Sequence, residues 1–252
     1  MDLASRHDAI VERLRQRGRV DVVELGAALG TSEVTIRRDL DLLAEAGVLR
    51  RVRGGAVSLL MRGEELPYAM RRGAGSEVKR RIADAASAQL RDGEAVLVDS
   101  GTTGVAVAEA ISGRRLTVMP LSIHAIAPLA SAADVTLLIP GGSVRPGEGS
   151  LVGPMTLAGL ATVRFDTAVL TCCGVSAAGG VTAFDLQDAA VKAAAVGSSA
   201  RTILVAESVK FARSALAVVC AIEAIDIVIT DADLLETEAA ALTAAGVEVV
   251  RV

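Results

Sequence analysis

Aromatic residues are scarce in this chain of 252 residues, which has no Trp, one Tyr and three Phe. Proteins that bind single-stranded nucleic acid stack bases on aromatic rings, so the composition argues against that class. Cysteine is also rare. The three cysteines, Cys172, Cys173 and Cys220, show no metal-binding spacing, and we interpret them as small core residues of a cytoplasmic protein. A redox sensor is the alternative.

Long hydrophobic runs are missing too, although hydrophobic residues make up 52% of the chain. No uncharged apolar run is long enough to cross a bilayer, so we expect no membrane partner. Residues 1–17 are charged and helical in pattern, unlike a signal peptide. The apolar content suffices for two packed domains, one small and one of medium size. No cofactor or metal is predicted.

The net charge of −4 is distributed unevenly. Residues 1–81 carry 16 Lys and Arg against 12 Asp and Glu, whereas the remainder carries 10 against 18. Positive charge concentrated in the front third is typical of a nucleic-acid footprint. Because aromatic stacking platforms are missing, double-stranded DNA is the expected partner.

Residues 31–57 have the pattern of a DNA-recognition helix followed by a basic hairpin. Ser32 is a good helix N-cap, because its hydroxyl can accept a hydrogen bond from a free backbone N–H. The residues at i, i+4 and i+7 form one apolar stripe: Ile36, Leu40 and Leu43. The other face carries hydroxyl and guanidinium groups: Thr35, Arg37 and Arg38. Such groups read base edges in the major groove.

The preceding residues complete a helix-turn-helix pattern. A first helix ends near Gly18, and a short second helix spans residues 21–29. Gly30 fits the tight turn before the recognition helix, because glycine adopts positive φ without steric cost.

A short hairpin follows the recognition helix. Gly47 ends the helix, residues 48–53 form a strand, and Gly54 and Gly55 turn the chain back. This hairpin is a wing whose guanidinium groups would meet phosphates or the minor groove: Arg50, Arg51 and Arg53. The alternative is a small helical domain with a solvated basic hairpin.

Residues 20–57, VDVVELGAALGTSEVTIRRDLDLLAEAGVLRRVRGGAV, resemble the N-terminal domain of DeoR-type bacterial transcriptional regulators. The run TIRRDL at 35–40 and the glycine wing at 54–56 carry the resemblance. Where this chain has Arg53 the family often has His, and the substitution keeps the positive charge. The resemblance implies an N-terminal winged helix-turn-helix domain over residues 1–58.

Residues 59–75 mix glycine, proline and charged residues, a composition typical of a linker.

From residue 76 to 252, apolar strands alternate with helices, which predicts an α/β domain with a mostly parallel sheet. The expected strands are 95–98, 116–119, 135–139, 167–171, 202–205, 225–230 and 247–250. The expected helices are 76–90, 104–111, 122–132, 155–161, 186–199 and 234–245. Ligands of such sheets bind where the strands end.

The first of these strand ends has the composition of a phosphate cradle. Its residues combine an acid, glycine and hydroxyls ahead of a helix: Asp99, Ser100, Gly101, Thr102 and Thr103. Glycine lets the backbone approach an anion, and the helix N-terminus attracts negative charge. Asp99 would accept hydrogen bonds from sugar hydroxyls. No Gly-Lys-Ser/Thr follows, so this is not a Walker A loop. An ordinary polar strand-to-helix turn is the alternative.

A second strand ends in PGGSVR, where Arg145 has the fork geometry to hold a phosphate bidentately. A surface arginine in a flexible loop is the alternative. Lys192, on an alanine-rich helix, and Lys210, after a strand, have the pattern of solvated lysines. Only the family resemblance, given next, makes these two lysines candidate site residues.

The second half is similar to the C-terminal sensor domain of DeoR-type regulators. DSGTTG, PGGSVRPGEGSLVGP, RFDTAVLTCCGVSAAGGVT, Lys192 and ESVKF follow in the family's order. The resemblance implies a fold like ribose-5-phosphate isomerase and a phosphorylated sugar effector that changes DNA affinity. By position, residues 99–103 form the phosphate loop, Gly142 and Arg145 line a second loop, and Lys210 matches another family lysine. Three sites depart from the family pattern: residues 119–122, residues 172–174 and His124.

The sequence is compatible with three classes of function. The first is a repressor of a carbohydrate catabolic operon, gated by a sugar phosphate and acting as a homo-oligomer, a dimer or tetramer, on operator DNA. The second is a phosphosugar isomerase, for which Asp99 and Asp185 are the candidate bases, although the acidic signature of those enzymes is missing. The third is an architectural DNA binder, which needs no large second domain. We expect the first, and no catalytic residues.

Overall fold

The structure, a computed structural model, describes residues 3–60 and 65–252. It divides into two compact units, Met1–Gly75 and Ser76–Val252. Among the described helices, none is both long and apolar enough to cross a membrane.

The first unit is a winged helix-turn-helix. Its elements in chain order are α1 (Leu3–Arg17), β1 (Arg19–Asp21), α2 (Val22–Leu29), α3 (Glu33–Glu45), β2 (Leu49–Val52) and β3 (Gly55–Ser58). The core contains the predicted stripe of α3, with Ile36, Leu40 and Leu43 all fully buried. The strands form one antiparallel sheet in the order β1-β3-β2.

Capping residues fix the helix-turn-helix geometry. Asp21 caps α2 by accepting hydrogen bonds from two backbone N–H groups. Gly30 ends that helix in the left-handed conformation (φ 61°), and Ser32 caps α3 through the N–H of Thr35 at 3.2 Å. The predicted turn at Gly30 and the predicted N-cap Ser32 are confirmed, whereas Asp21, predicted as the first residue of α2, is its N-cap.

The wing has one more strand than the sequence predicted. β1 pairs with β3, with Val20 opposite Ala56, so the sheet has three strands instead of a two-stranded hairpin. Gly55 is required by this packing, because a Cβ there would lie 1.9 Å from the carbonyl oxygen of Val20.

The segment after the wing carries a short helix, α4 (Tyr68–Arg71). Leu66 is buried in the core of the first unit, and Met70 packs against the same core. Arg71 donates a hydrogen bond to the carbonyl of Leu66 at 2.6 Å and forms an ion pair with Glu65 at 3.2 Å.

The second unit is a three-layer α/β domain. Its helices are α5 (Ser76–Ala88), α6 (Gly101–Ile111), α7 (Ile123–Ala130), α8 (Pro154–Ala161), α9 (Leu186–Gly197) and α10 (Glu236–Ala244). The strands of its main sheet are β4 (Ala95–Val98), β5 (Leu116–Pro120), β6 (Val135–Leu137), β9 (Phe165–Leu170), β12 (Ser199–Val205), β14 (Ile227–Thr230) and β15 (Glu248–Arg251). The sequence did not predict five short strands: β7 (Ser143–Val144), β8 (Leu151–Val152), β10 (Gly174–Ser176), β11 (Gly180–Ala183) and β13 (Ala217–Cys220).

The main sheet is parallel throughout, in the order β15-β14-β12-β9-β4-β5-β6. Alternate side chains enter two cores: Leu97 of β4 faces the core shared with α8, α9 and α10, whereas Val96 and Val98 face the core shared with α5, α6 and α7. Strands buried on both faces explain why the sequence shows continuous apolar runs.

The strand order creates a switch point between β4 and β9. From β4 the chain moves to β5 and β6 on one side, and the later strands lie on the other side. Because all strands run the same way, Asp99 after β4 and Thr171 after β9 meet at the carboxyl edge. Open α/β sheets bind ligands in the crevice at such a point.

A substitution at Gly104 tests the close packing of the first turn of α6 against the backbone of Asp99. A Cβ on this residue would lie 2.2 Å from the carbonyl oxygen of Asp99. We expect Gly104→Ala to lower the free energy of unfolding by about 1–3 kcal/mol, as overpacking does. Gly197→Ala, at a helical glycine with open space around it, should be neutral or stabilising. Urea unfolding measures both, and equal effects would contradict the close approach.

Candidate functional site

The exposed face of α3 and the wing form the candidate DNA interface. Arg37 and Arg38 are exposed on α3, and Arg50 and Arg53 are exposed at the wing. Arg37 pairs with Glu33 one turn earlier at 2.8 Å. Within residues 3–60 and 65–252, no hydrogen bond or ion pair engages the side chains of Arg38, Arg50 or Arg53. These cations are available to phosphates and base edges.

Other predicted residues of this face have structural partners. The hydroxyl of Ser32 caps α3 and also lies 2.9 Å from the Thr35 hydroxyl. Arg51 is half-buried, pairs with Asp41 of α3 at 2.9 Å and donates to the Gly55 carbonyl at 3.1 Å. Arg51 therefore fastens the wing to α3, with Gly54 (φ 78°) at the turn.

A buried ion pair that the sequence analysis missed holds α3 against α1. Asp39 is 2% exposed and accepts two hydrogen bonds from the Arg6 guanidinium, at 2.5 and 3.0 Å. His7 Nε2 lies 3.3 Å from the same carboxylate. The sequence position of Asp39 could have predicted this pair. Asp39 lies beside Leu40 on the buried stripe of α3, where an acid needs a partner.

At the other candidate site, residues 99–103 connect β4 to α6. We call this segment the phosphate loop, after the function that the sequence predicts for it. Gly101 has φ 88° and begins the helix, and Ser100 is its N-cap without a side-chain hydrogen bond to the helix. Thr102 and Thr103 are 9% and 8% exposed. The N–H groups of a first helical turn have no partner inside the helix, so they present donors and positive potential to an anion.

Asp99, the first residue of this loop, belongs to a buried charge cluster. We call it the Lys192 cluster, and it consists of Lys192, Asp99 and Asp188. Lys192 Nζ is hydrogen-bonded to Asp99 Oδ2 and lies 3.5 Å from Asp188 Oδ2. The three residues are 3%, 1% and 8% exposed.

The Asp99 carboxylate has further partners. Its Oδ1 accepts from the Ser100 N–H at 2.7 Å, and its Oδ2 accepts from the N–H and hydroxyl of Thr171 at 2.8 and 3.0 Å. Its acceptor sites are thus largely filled by the protein. The Ser100 hydroxyl points toward Asp188, with 3.5 Å between the oxygens.

Burial and neighbouring charges act in opposite directions on this cluster. Burial lowers the pKa of the Lys192 ammonium, but the carboxylates of Asp188 and Asp99 outweigh it and raise that pKa. Burial raises the pKa of the Asp188 carboxyl, against the lowering effect of Lys192. Lys192 therefore stays charged and bound to its carboxylates at neutral pH, in contrast to the solvated lysine of its sequence pattern.

Arg145 lies near the same cluster. Its Nε is 3.5 Å from Asp185 Oδ2, and Asp185 is the N-cap of α9, the helix that carries Asp188 and Lys192. Gly142 (φ 110°) packs against Thr156, whose hydroxyl would be 1.9 Å from an added Cβ. This glycine therefore shapes the loop ahead of Arg145.

Lys210 lies in a short 3₁₀ turn, Ser208–Lys210, after β12. In the sheet, β12 is separated from β4 by β9, so this lysine follows a strand two positions from the phosphate loop. It is half-buried.

The sites that depart from the family pattern surround the same edge. His124 follows the Ser122 N-cap of α7 and packs against Gly149, where an added Cβ would lie 2.5 Å from the imidazole. Burial raises the pKa of the Cys172 thiol, and it raises the pKa of the Cys220 thiol to about 11. Such thiols are protonated at neutral pH, which favours core packing. Among the described residues, no group of His, Cys, Asp or Glu has the arrangement to hold a metal ion.

The Lys192 cluster makes a stability prediction. Removing one partner of a buried ion pair leaves an uncompensated charge, which costs about 3–5 kcal/mol. We expect Lys192→Met to lower the free energy of unfolding by that amount in urea titrations. Adding Asp99→Asn to that variant should recover part of the loss. A loss below about 1 kcal/mol would contradict the buried charge pairing.

Asp39 makes a second prediction, about DNA binding. Asp39→Asn should lower both the melting temperature and the affinity for operator DNA, because α3 loses its ion pair with Arg6. Glu45→Gln removes an exposed acid from the same helix and should leave affinity unchanged or slightly higher. Circular dichroism and fluorescence anisotropy measure the two quantities. Tighter DNA binding by Asp39→Asn would show that the carboxylate acts only as a negative charge.

Known proteins resemble the chain in both halves. The family model of the DeoR-like helix-turn-helix domain matches residues 6–60, and that of the DeoR C terminal sensor domain matches residues 75–232. The glycerol-3-phosphate regulon repressor of Escherichia coli (strain K12) is 32% identical over 92% of this chain and 92% of its own length. The HTH-type transcriptional regulator GlpR of Haloferax volcanii is 31% identical over 98% and 97%. The transcriptional repressor AccR of Agrobacterium fabrum is 31% identical over 90% and 88%.

Among solved structures, ribose 5-phosphate isomerase A from Methanocaldococcus jannaschii matches with a TM-score of 0.42 and 11% identity, over 55% of each chain. A likeness of this extent supports no conclusion about function. The two family models together cover most of the sequence, and relatives above 30% identity span nearly all of it. The chain therefore belongs to the DeoR family of DNA-binding transcriptional regulators.

Proposed function

We propose that this regulator represses a carbohydrate catabolic operon and that a phosphorylated sugar or polyol, bound at the phosphate loop, controls its affinity for operator DNA. The observation that carries the proposal is the start of α6. A helix N-terminus, whose first N–H groups have no partner within the helix, lies at the switch point of a parallel sheet. Its first residue, Gly101, is half-buried and has φ 88°, so the backbone can be approached closely there.

The relatives support the proposed class of effector. A repressor named for glycerol 3-phosphate aligns over 92% of both chains. We therefore place small phosphorylated carbohydrates first among candidate effectors. His124 and Cys172, which differ from the family pattern, lie at the same edge of the sheet. We therefore do not assign glycerol 3-phosphate itself as the effector of this protein.

We assign the roles within the effector site as follows. The phosphate lies on the N–H groups and hydroxyls at the start of α6, with Arg145 within reach. Asp99 and Lys192 hold the loop in shape, because Asp99 is filled by protein donors and Lys192 is 3% exposed. The Asp188 carboxylate lies next to the Ser100 hydroxyl. We assign Asp188, and not Asp99, to accept a hydrogen bond from a sugar hydroxyl.

We assign DNA reading to α3 and the wing, in the cytoplasm. Arg38 supplies base or phosphate contacts, and Arg50 and Arg53 bind phosphates, because all three are exposed. A homo-oligomer, a dimer or tetramer, would present two such units to a palindromic or repeated operator. Effector binding that favours one arrangement of the oligomer by about 1–3 kcal/mol suffices to switch occupancy.

We propose no catalytic activity. Of the two acids considered as bases for isomerisation, Asp99 is occupied by four donors, and Asp185 caps α9 and pairs with Arg145. Neither carboxylate is free to take a proton from a substrate. Turnover of a sugar phosphate by the purified protein would contradict this assignment.

Two variants should separate the functions of the two units. Arg38→Ala should weaken operator binding by about 5- to 150-fold, since a good base contact is worth about 1–3 kcal/mol, and should leave effector binding intact. Thr102→Leu should leave operator binding intact and abolish the response to effector, because its side chain fills the start of α6.

Fluorescence anisotropy with DNA from upstream of the gene cluster, and calorimetry with sugar phosphates, measure the two activities. Arg91→Ala, an exposed arginine of the second unit, is the matched control for Arg38→Ala. Normal operator binding by Arg38→Ala would show that α3 is not the recognition helix.

A further inference from the structure

A salt bridge links Arg145, in the loop after Gly142, to Asp185 at the N-terminus of α9. Arg145 Nε lies 3.5 Å from Asp185 Oδ2, and the two side chains are 28% and 33% exposed. The pair is thus accessible to solvent, unlike the Lys192 cluster. A single contact at this distance is weak, because an arginine and a carboxylate bind most strongly as a bidentate pair.

The backbone at both ends of this link is fixed. Asp185 Oδ1 accepts hydrogen bonds from the N–H groups of Gln187 and Asp188, each at 2.9 Å, so Oδ2 is left for Arg145. The backbone N–H of Arg145 donates to the Ser150 carbonyl at 2.8 Å, and its carbonyl accepts from Gly149 at 2.9 Å. The long Arg145 side chain is therefore the part that can move.

The link lies next to the Lys192 cluster. Asp188 lies on α9, three residues after the N-cap Asp185. Burial is the main cause that raises the pKa of the Asp188 carboxyl, and the charges of Arg145 and Asp185 have smaller, opposite effects on it. The Ser100 hydroxyl, at the N-cap of α6, lies 3.5 Å from Asp188. Arg145 is thus within a few side-chain contacts of the helix N-terminus at which we place the phosphate.

We propose that Asp185 competes with the phosphate of the effector for Arg145. Without effector, the Asp185 carboxylate holds the guanidinium. A bound phosphate, which carries more charge and matches the guanidinium fork, takes Arg145 over and breaks the link between the arginine turn, residues 145–150, and α9. Asp185 therefore lowers effector affinity and makes binding change the contacts of α9. This inference rests on the proposed function.

A double-mutant cycle tests the competition. Asp185→Asn keeps an N-cap oxygen of equal quality but removes the charge, so α9 should remain intact. Calorimetry would use glycerol 3-phosphate, glucose 6-phosphate and inorganic phosphate. We expect Asp185→Asn to bind its phosphorylated ligand roughly two- to five-fold more tightly, the size of a solvent-exposed ion pair. In an Arg145→Gln background the same change should have no effect.

Asp92→Asn is the charge-matched control, because Asp92 pairs with Arg114 at 2.9 Å ahead of β4, at the amino edge of the sheet. Its affinity should equal that of the wild type. Equal or weaker binding by Asp185→Asn would overturn the inference and leave the proposed function standing. A gain that persists with Arg145→Gln would also overturn it, since general electrostatics would then explain the effect. If the wild type binds operator DNA but no phosphorylated compound, the effector site itself is wrong, and the inference falls with it.

Discussion

The contact of the Lys192 ammonium with two carboxylates is the constraint on which the carboxyl edge of the sheet depends. Asp99 follows β4, Thr171 follows β9, and Asp188 and Lys192 are one turn apart on α9, so the contact joins three elements in one place. Burying these charges is costly unless each has its partner, and alternative arrangements of these elements would leave one unpaired. Asp99 immediately precedes α6, so its contacts with Lys192 and Thr171 fix the position at which that helix begins.

The DNA-reading unit uses the same principle on a smaller scale. Asp39 is buried against Arg6 and fixes the rotation of α3, and Arg51 is bound to Asp41 and fastens the wing. Arg38, Arg50 and Arg53 remain exposed. Cations with structural partners thus set the geometry, and the exposed cations are those to which we assign contacts with DNA. The same division separates Lys192, which is enclosed by carboxylates, from Arg145, which is partly exposed and contacts Asp185 at 3.5 Å.

Local patterns in the sequence predict much of this architecture. The bounds of β4, the turn at Gly30 and the N-cap Ser32 follow from short-range rules, and the structure agrees with them. β1, with three residues, is too short to show a periodic pattern. The partners of Asp99 could not be predicted either, because Thr171 is 72 residues away and Lys192 is 93 residues away. Only the strand order, which places β9 beside β4, brings these residues together.

The most direct test of the account is an operator titration of the wild-type protein with and without phosphorylated sugars and their unphosphorylated parents. We expect tight binding, resistant to competitor DNA, to the region upstream of the gene cluster. We also expect that one phosphorylated compound, and not its parent sugar, changes that affinity by about 5- to 150-fold. Tight DNA binding that no phosphorylated compound alters, with no such compound bound by the protein, would contradict the assignment of the phosphate loop.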